Sequence, residues 1–396
     1  MRSILFLTNS YYPENNPQAI LLRNILENLK SEKNIRIHLF STTKKIHTKK
    51  IIFNNFDLKI NFFWRIINFI PLFSKYNFIK KKYKKQISLI KNYIKKNNIK
   101  IIISYSNPYI LNIIGSIISK DLKIKNIIHY SDPFYKTIYK KYFFYHKGLI
   151  DKNIEKTVLI NANQIVVNNQ SMANFIFKNQ QKNFLKKTTI ISHSYYAKDF
   201  RGSIKKNYED KIKISYFGTL NKIRNPMKLI NIFIKLKIKK IIAKNVEMHF
   251  YSKLDNYLKK INVINKDHFI KNKIYFHKSL PHINSIEEMN KASLLLSLDA
   301  EGDENIYLTT KLINYLNIKK PVLNITQINS PNYKLGKIAN FFFLNINDEK
   351  HIESYLPYYI KNYLYFRPNE NNIKKYESKN ISILWKRLIF KTLKLA

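Results

Sequence analysis

The sequence predicts an α/β protein made of two doubly wound domains, each a parallel sheet sandwiched by helices. Three observations carry this expectation. Residues 4–7 are a short apolar run, followed by a polar loop, a helical spacing of apolar residues and a second apolar run at 35–40. That strand–loop–helix–strand order requires a crossover and therefore a parallel pair. A second series of short apolar runs, alternating with helical segments, begins at Ile212. Within it, residues 309–326, TTKLINYLNIKKPVLNIT, read as a helix, a tight turn at Lys319-Lys320-Pro321 and a buried strand over 322–325.

Length and composition agree. A chain of 396 residues can form two domains, each with its own core. The formal charge of +46 points towards anionic partners. The basic excess is almost all lysine, and it accompanies abundant Ile, Asn, Tyr and Phe with only 6 Gly and 11 Pro. These enriched residues have A/T-rich codons, so most of the lysines are expected on a solvated surface. With no cysteine there are no disulfides, thiolate metal sites or cysteine nucleophiles, which fits a reducing compartment. The basic-then-apolar start ends at Thr8-Asn9, too short for a signal-peptide core. The apolar stretch 62–73 is interrupted by Arg65, Asn68 and Pro71 and cannot span a bilayer as a helix.

Taken in order, residues 4–7 are a buried strand, 8–18 a loop holding Tyr12, Pro13 and Pro17, and 19–29 a helix with Ile20, Leu21, Ile25 and Leu29 on one side. The strand at 35–40 closes the first unit. An aromatic-rich run at 62–73 abuts Lys80, Lys81, Lys82, Lys84 and Lys85. This segment reads either as a core helix beside a solvated one or as a segment that docks on anionic lipid. Strands follow at 100–104, 124–129, 164–167 and 189–192. A helix opened by Asn107-Pro108 runs to 118, and further helices cover 154–160 and 172–177. The fourth of the strands named so far ends in Tyr130-Ser131-Asp132-Pro133-Phe134. Residues 198–210, with Gly202, Ser203 and mixed charge, read as a linker. Beyond it, strands at 212–217, 246–251, 274–276, 294–298, 322–325 and 341–344 alternate with helices, the first from Pro226, since proline is tolerated in a first helical turn. Residues 381–395 form a last amphipathic helix with Trp385, Leu388 and Leu395 opposite Lys386, Arg387, Lys391 and Lys394. The expected domains are therefore 1–197 and 211–375, with 376–396 as a terminal helix crossing back over the first.

Two such domains can hold a dinucleotide, a nucleoside triphosphate or a nucleotide-sugar, and glycine separates these. The glycines are Gly115, Gly148, Gly202, Gly218, Gly302 and Gly336, and no two are close. There is no G-x-G-x-x-G and no G-x-x-x-x-G-K-[ST], both of which need glycine so that backbone N–H groups can approach phosphates. H-E-x-x-H and G-x-S-x-G are absent as well.

The segment T-K-L-I-N-Y-L-N-I-K-K-P-V resembles the nucleotide-sugar motif of family-4-type glycosyltransferases, S-K-x-x-E-Y-L-A-x-G-K-P-V. Other segments are similar in order and spacing to the same family: ILFLTNSYYP at 4–13, IIHYSDPF at 127–134, NQIVVNNQS at 163–171 and YFGTLNKIRNP at 216–226. The resemblance covers most of the chain and its motifs belong to the bacterial polysaccharide branch. It implies a GT-B fold, two Rossmann-like domains facing a cleft, with the acceptor on the first and the nucleotide-sugar on the second. It further implies a hexosyltransferase-type enzyme that retains anomeric configuration and needs no metal or other cofactor. The donor would be a UDP- or GDP-sugar, and the acceptor a lipid-linked or oligosaccharide glycan of lipopolysaccharide or capsule assembly. The expected location is the cytoplasm, peripheral at the inner face of the cell membrane, on an anionic surface, with no nucleic-acid partner.

Transfer from a nucleotide-sugar requires the departing diphosphate to be stabilised. Without a carboxylate cluster for a metal, fixed cations and backbone dipoles must serve. Lys311, just inside a helix whose start Thr309 or Thr310 can cap, and Arg224, shortly after Gly218, are suited to this, and the resemblance assigns both to the diphosphate as the catalytic cations; the other reading makes Arg224 a surface salt bridge and Lys311 one more solvated lysine. Asp132 is the expected catalytic carboxylate, a cleft residue near the acceptor or donor sugar, its other reading being the turn former of Asp132-Pro133. Gly218, Thr219, Lys222, Thr310, Asn314 and Glu301 are the expected donor-binding residues, and Tyr12 and Pro13 the acceptor-side loop. The chain departs from the family in several places: Asn15-Asn16-Pro17 for a glycine-rich loop, Asn314 and Ile306 for two glutamates, Thr219 for an arginine, and Ser192-His193-Ser194 for P-N-G. Asn314 can still bond ribose hydroxyls, more weakly than a carboxylate. Asp299, Glu301, Asp303 and Glu304 form an acidic cluster that reads either as a substitute for the lost glutamates or as a solvated loop. The competing readings are an inactive or slow relative, a sugar-nucleotide epimerase of the same fold, and a basic nucleic-acid-binding protein.

Overall fold

A computed structural model describes residues 1–43, 50–58, 76–136, 145–178, 183–200, 210–302 and 305–394. The chain forms two compact units, one of Met1–Ser192 with Ser378–Ala396 and one of His193–Glu377. In the first, β1 (Arg2–Thr8), α1 (Pro17–Leu29), β2 (Ile35–Ser41) and β3 (Ile51–Asn55) precede α2 (Tyr76–Lys82) and α3 (Lys84–Lys96). Then follow β4 (Ile101–Tyr105), α4 (Ile110–Leu122), β5 (Lys125–Tyr130), α5 (Tyr145–Asn161), β6 (Gln164–Val167), α6 (Gln170–Phe177), α7 (Asn183–Lys186) and β7 (Thr188–Ile190). The seven strands are ordered β3-β2-β1-β4-β5-β6-β7, and every ladder is parallel.

The second unit begins with a short 3-10 turn, Ala197–Phe200. It continues through β8 (Ile212–Leu220), α8 (Met227–Ile238), β9 (Val246–Leu254), α9 (Asn256–Ile264), α10 (Lys266–Lys271), β10 (Ile274–His277), α11 (His282–Lys291) and β11 (Leu294–Leu298). It closes with α12 (Thr310–Ile318), β12 (Val322–Thr326), α13 (Pro331–Ala339), β13 (Phe342–Asn345), α14 (Glu349–Lys361) and α15 (Glu370–Ile373). Its six parallel strands run β10-β9-β8-β11-β12-β13. The last helix, α16 (Ser378–Lys394), returns to the first unit.

The central strands are apolar at consecutive positions because helices cover both faces. β4, β6, β11 and β12 are buried throughout. In the second unit one face packs on α8 and α14 through Phe233, Phe250 and Leu356. The other packs on α11, α12 and α13 through Met289, Leu312, Tyr315 and Leu335. Capping fixes the helix starts. Asn16 accepts from the Gln18 N–H ahead of α1, with Pro17 in the first turn, and Ser330 accepts from the Tyr333 N–H ahead of α13. Lys319 ends α12 in the left-handed region, φ 59°.

Two sequence readings shift. β3 is absent from the sequence reading, since Ile51–Asn55 alternates only weakly and is an edge strand with two of its five residues exposed. The first domain was expected to run to 197 and the second to begin at 211, after a linker at 198–210; the second compact unit instead begins at His193. Phe200 packs in that unit's core, and Asp199 Oδ2 lies 2.9 Å from His282 Nε2, which holds residues 197–200 down rather than leaving them as linker. Residues 201–209 of the expected linker, the aromatic run 62–73 and Leu395 lie outside the described residues.

Candidate functional site

In open parallel sheets, loops diverge at the carboxyl ends of the two strands where the winding reverses, and ligands bind in the gap between them. In the second unit that pair is β8 and β11. Gly218 near the end of β8 has φ +151°, and a Cβ there would sit 2.9 Å from the Tyr216 hydroxyl, so only glycine fits. The Tyr216 hydroxyl in turn donates to the Thr219 carbonyl (3.1 Å). Beyond the strand, Asn221 builds an Asx turn: its Oδ1 accepts from the N–H groups of Ile223 (3.1 Å) and Arg224 (2.9 Å). Its own N–H donates to the Arg224 carbonyl (3.3 Å). The Lys222 N–H donates to Asp255 Oδ2 (2.9 Å), and Asp255 also caps α9 at the Leu258 N–H. Thr219 and Lys222 are exposed, and Arg224 is half-buried. The Glu301 N–H donates to the Ile223 carbonyl (2.9 Å), tying the loop after β11 to the loop that carries Arg224.

The acidic residues after β11 divide. Asp299 is 2 % exposed, accepts from the Thr326 hydroxyl (2.5 Å) and from the Ala300 N–H, and so pins β11 to β12. It is scaffold, not a replacement ligand. Glu301 is exposed. Asp303 and Glu304 lie outside the described residues.

Thr309 occupies the cap position of α12 but makes no side-chain cap bond, contrary to expectation. Buried Asn332 takes it instead. Its Oδ1 accepts from the Thr309 N–H (2.8 Å) and its Nδ2 donates to the Thr309 hydroxyl (3.0 Å). Thr310 and Lys311 are the first two helical residues, both half-buried. Desolvation pushes the Lys311 ammonium down to about 8. Asn314, an expected donor-binding residue, is 4 % exposed, because α12 is buried from Leu312 through Leu316. Ile306, at the other position where the motif resemblance implies a glutamate, is buried too.

The corresponding gap in the first unit lies between β1 and β4. The loop after β1 is fastened by the Tyr11 N–H donating to Thr43 Oγ1 (2.9 Å). Tyr12 is half-buried with the Arg23 guanidinium 4.7 Å from its ring centre, and Pro13 is exposed. After β4, Asn107 Nδ2 donates to Asp132 Oδ2 (3.1 Å), which joins that loop to the one after β5. Burial pushes the Asp132 carboxyl up, and the Asn107 bond partly offsets the rise. The Ser131 hydroxyl lies within hydrogen-bonding distance of Gln18 Oε1 (2.8 Å) and of the Ser106 carbonyl. Phe134 stacks on Tyr109 at 4.2 Å.

The structure thus gathers Gly218, Thr219, Lys222, Arg224 and Glu301 on two joined loops, with Thr310 and Lys311 at the start of the next helix. Tyr12 and Pro13 lie on the loop after β1 and Asp132 on the loop after β5, both in the first unit. Asn221, Asn332, Asn107 and Gln18 were not read as site residues. For Asn221 a signal existed, an Asn three residues before an Arg in a loop closed by Asn225-Pro226; the others depend on contacts distant in sequence. His193 of the Ser192-His193-Ser194 segment is buried, and burial pushes it down to about 4. Of the expected lysine patch, Lys80 is ion-paired to Asp121 (2.9 Å) and Lys82 is half-buried, while Lys81, Lys84 and Lys85 are exposed. Among the described residues, no group of three or more His, Asp or Glu is placed to hold a metal ion, and no helix is long and apolar enough to cross a membrane.

No protein-family model matches the chain, and no curated protein matches it in sequence. Solved structures do match. Sucrose-phosphate synthase from Thermosynechococcus elongatus superposes with a TM-score of 0.74 at 11% identity, covering 100% of both chains. Anabaena HepE in complex with UDP gives 0.69 at 13% identity, again over 100% of both. The fold is GT-B. The lipopolysaccharide outer core galactosyltransferase WaaB, at 0.65 and 10% identity over 98% of this chain and 99% of that one, shares the GT-B architecture.

Proposed function

We propose that the protein is a nucleotide-sugar-dependent glycosyltransferase acting without a metal ion on a lipid-linked or oligosaccharide acceptor in cell-surface polysaccharide assembly. The observation that carries the reading is the joined pair of loops at the carboxyl ends of β8 and β11. There Gly218 takes a backbone conformation that side chains rarely adopt, the Asn221 side chain holds the Arg224 N–H, and the Glu301 N–H bond joins the two loops. In this reading the diphosphate lies against that backbone and the first turn of α12. Arg224 and Lys311 neutralise the charge that grows on the departing diphosphate, a role that preorganised cations perform in place of a metal. Glu301 is the accessible carboxylate for donor hydroxyls, since Asn314 and Asp299 are buried. Asp132, with its raised carboxyl, is the group near the reacting sugar, and the Tyr12-Pro13 loop bounds the acceptor. HepE structures hold UDP, glucose and UDP-glucose, which supports a UDP-sugar donor here. Retention of configuration follows from the resemblance of the motifs. Placement at the cytoplasmic face of the membrane follows from the lipid-linked acceptor.

The test is binding and turnover across a panel of UDP- and GDP-sugars. Saturable binding of one donor, with sugar transfer or slow donor hydrolysis, is the expected result. Interconversion of a free UDP-sugar epimer pair would favour the epimerase reading, to which a UDP-N-acetylglucosamine 2-epimerase lends a TM-score of 0.58 at 12% identity. Binding of no nucleotide-sugar, together with tight salt-sensitive RNA binding, would overturn the proposal.

A further inference from the structure

The outer helices of the second unit leave apolar side chains in water where solvated helices ordinarily show polar ones. Ile238 at the end of α8 is 71% exposed and Ile241 just beyond it 54%. Val263 and Ile264 at the end of α9 are 74% and 80% exposed, and Ile270 on α10 is 45% exposed. All five lie within residues 238–270, and Ile238 also lines a groove between two of these helices. A shallow groove of about 310 Å³ is lined by Asn231, Ile234, Lys235, Ile238 and Lys239 of α8 and its end together with His268 of α10, so α8 and α10 present one surface. α9 ends at Ile264, directly before α10. Beneath this outer layer, Leu258 and Phe269 are buried and anchor α9 and α10 to the core, so the exposed set is not needed for packing.

The charge around these residues decides what can cover them. Residues 235–273 contain eleven lysines against three carboxylates, Glu247, Asp255 and Asp267. Lys239, Lys240, Lys259, Lys260, Lys266 and Lys271 are all exposed. A second copy of this chain, itself at +46, would bring lysine against lysine. An anionic lipid surface matches both parts of the surface: lysines reach the headgroups and the isoleucine and valine side chains enter the acyl boundary. We propose that the α8–α10 surface of the second unit is an anionic-lipid-binding face. The inference does not depend on the glycosyl-transfer reading, because it uses none of the residues assigned to the donor.

The experiment is co-sedimentation with phosphatidylglycerol-containing and with pure phosphatidylcholine vesicles at 0.1 and 0.5 M salt, comparing wild type with I238S/V263S/I264S. Because the three side chains are exposed, the variant should keep the wild-type circular dichroism and melting temperature, and its nucleotide-sugar binding serves as a separate control. The proposal expects wild type to prefer anionic vesicles and to retain part of its binding at high salt, since apolar insertion is not screened. The variant should lose about tenfold in partitioning, most clearly at high salt. Equal partitioning of the two proteins overturns the proposal. So does concentration-dependent dimerisation without lipid that the triple variant abolishes, which would assign the surface to a second copy. Retained binding of the variant to RNA and loss of all vesicle binding by the wild type would assign the lysines to nucleic acid and overturn it as well.

Discussion

Arg224 is held through its own backbone by the side chain of Asn221. Asn221 accepts from the Arg224 N–H, and the Ile223 carbonyl is held by Glu301. Lys311 owes its protonation behaviour to burial, which pushes it down to about 8. Arg224→Ala and Lys311→Ala are each expected to lower turnover by about 10²-fold, the scale of losing one preorganised stabiliser of developing charge. Steady-state assay with the donor found in the panel checks this, and wild-type rates in both variants would discredit the donor-site assignment. The titration of Lys311 adds a sign. The useful form is the cation, so kcat/KM should fall as pH rises through about 8 in the wild type. A guanidinium stays charged there, so Lys311→Arg should remove that alkaline limb even if its absolute rate is lower.

The β9–β10 edge of the second sheet carries an element-scale property. His249 Nδ1 lies 3.0 Å from His277 Nε2, the two rings are parallel within 2° with centres 5.3 Å apart, and His249 Nε2 lies 3.1 Å from Glu247 Oε2. One proton can sit between the two histidines, and a second would set N–H against N–H. Desolvation, the first cause for both, holds them below the ordinary histidine value. Lys213 and the neighbouring histidine push His249 further down; Glu247, and for His277 Glu288, act in the opposite direction without reversing the shift. A lowered folded-state value means that the unfolded chain binds more protons as the pH drops. The stability of this edge is therefore complete above the unfolded value of about 6.5 and is lost as pH falls below it. Thermal melts from pH 7.5 to 5 should show a shallower acid decline in H249Q/H277Q than in wild type; parallel declines would show that this pair does not carry the effect. The terminal helix α16 shows the opposite kind of element, one held by many independent contacts. Trp385 is 1% exposed against the first core, Asn28 Nδ2 donates to the Ser378 hydroxyl (3.0 Å), and Lys386 pairs with Glu32 (2.5 Å).

At the scale of the whole molecule, a charge of +46 acts through where the lysines stand. On α2 and α3, Lys81, Lys84 and Lys85 are exposed, while Lys80 shares Asp121 with Lys91. Each free lysine near an anionic leaflet contributes about 1 kcal/mol, screened by salt. Changing Lys80, Lys81, Lys82, Lys84 and Lys85 to Gln should weaken binding to anionic vesicles at 0.1 M salt and change little at 0.5 M; unchanged binding at low salt would remove this cluster from the membrane reading. The sequence by itself determined the alternation of buried strands and amphipathic helices, because a parallel sheet covered on both faces needs continuous apolar runs and these are local. Gln164–Val167 and Leu294–Leu298 were bounded from sequence as they stand in the fold. It also marked Gly218, Arg224 and Lys311, whose spacing is local. Only the tertiary structure decided what the polar residues between them do. Thr309 looked like a cap until Asn332, 23 residues on, took its hydroxyl. Asn314 looked available to the donor until both sides of α12 were packed. Asp299 looked like a spare carboxylate until Thr326 bound it. A side chain's periodicity is written in its neighbours along the chain, whereas its hydrogen-bond partner is chosen by segments brought together only when the sheet forms.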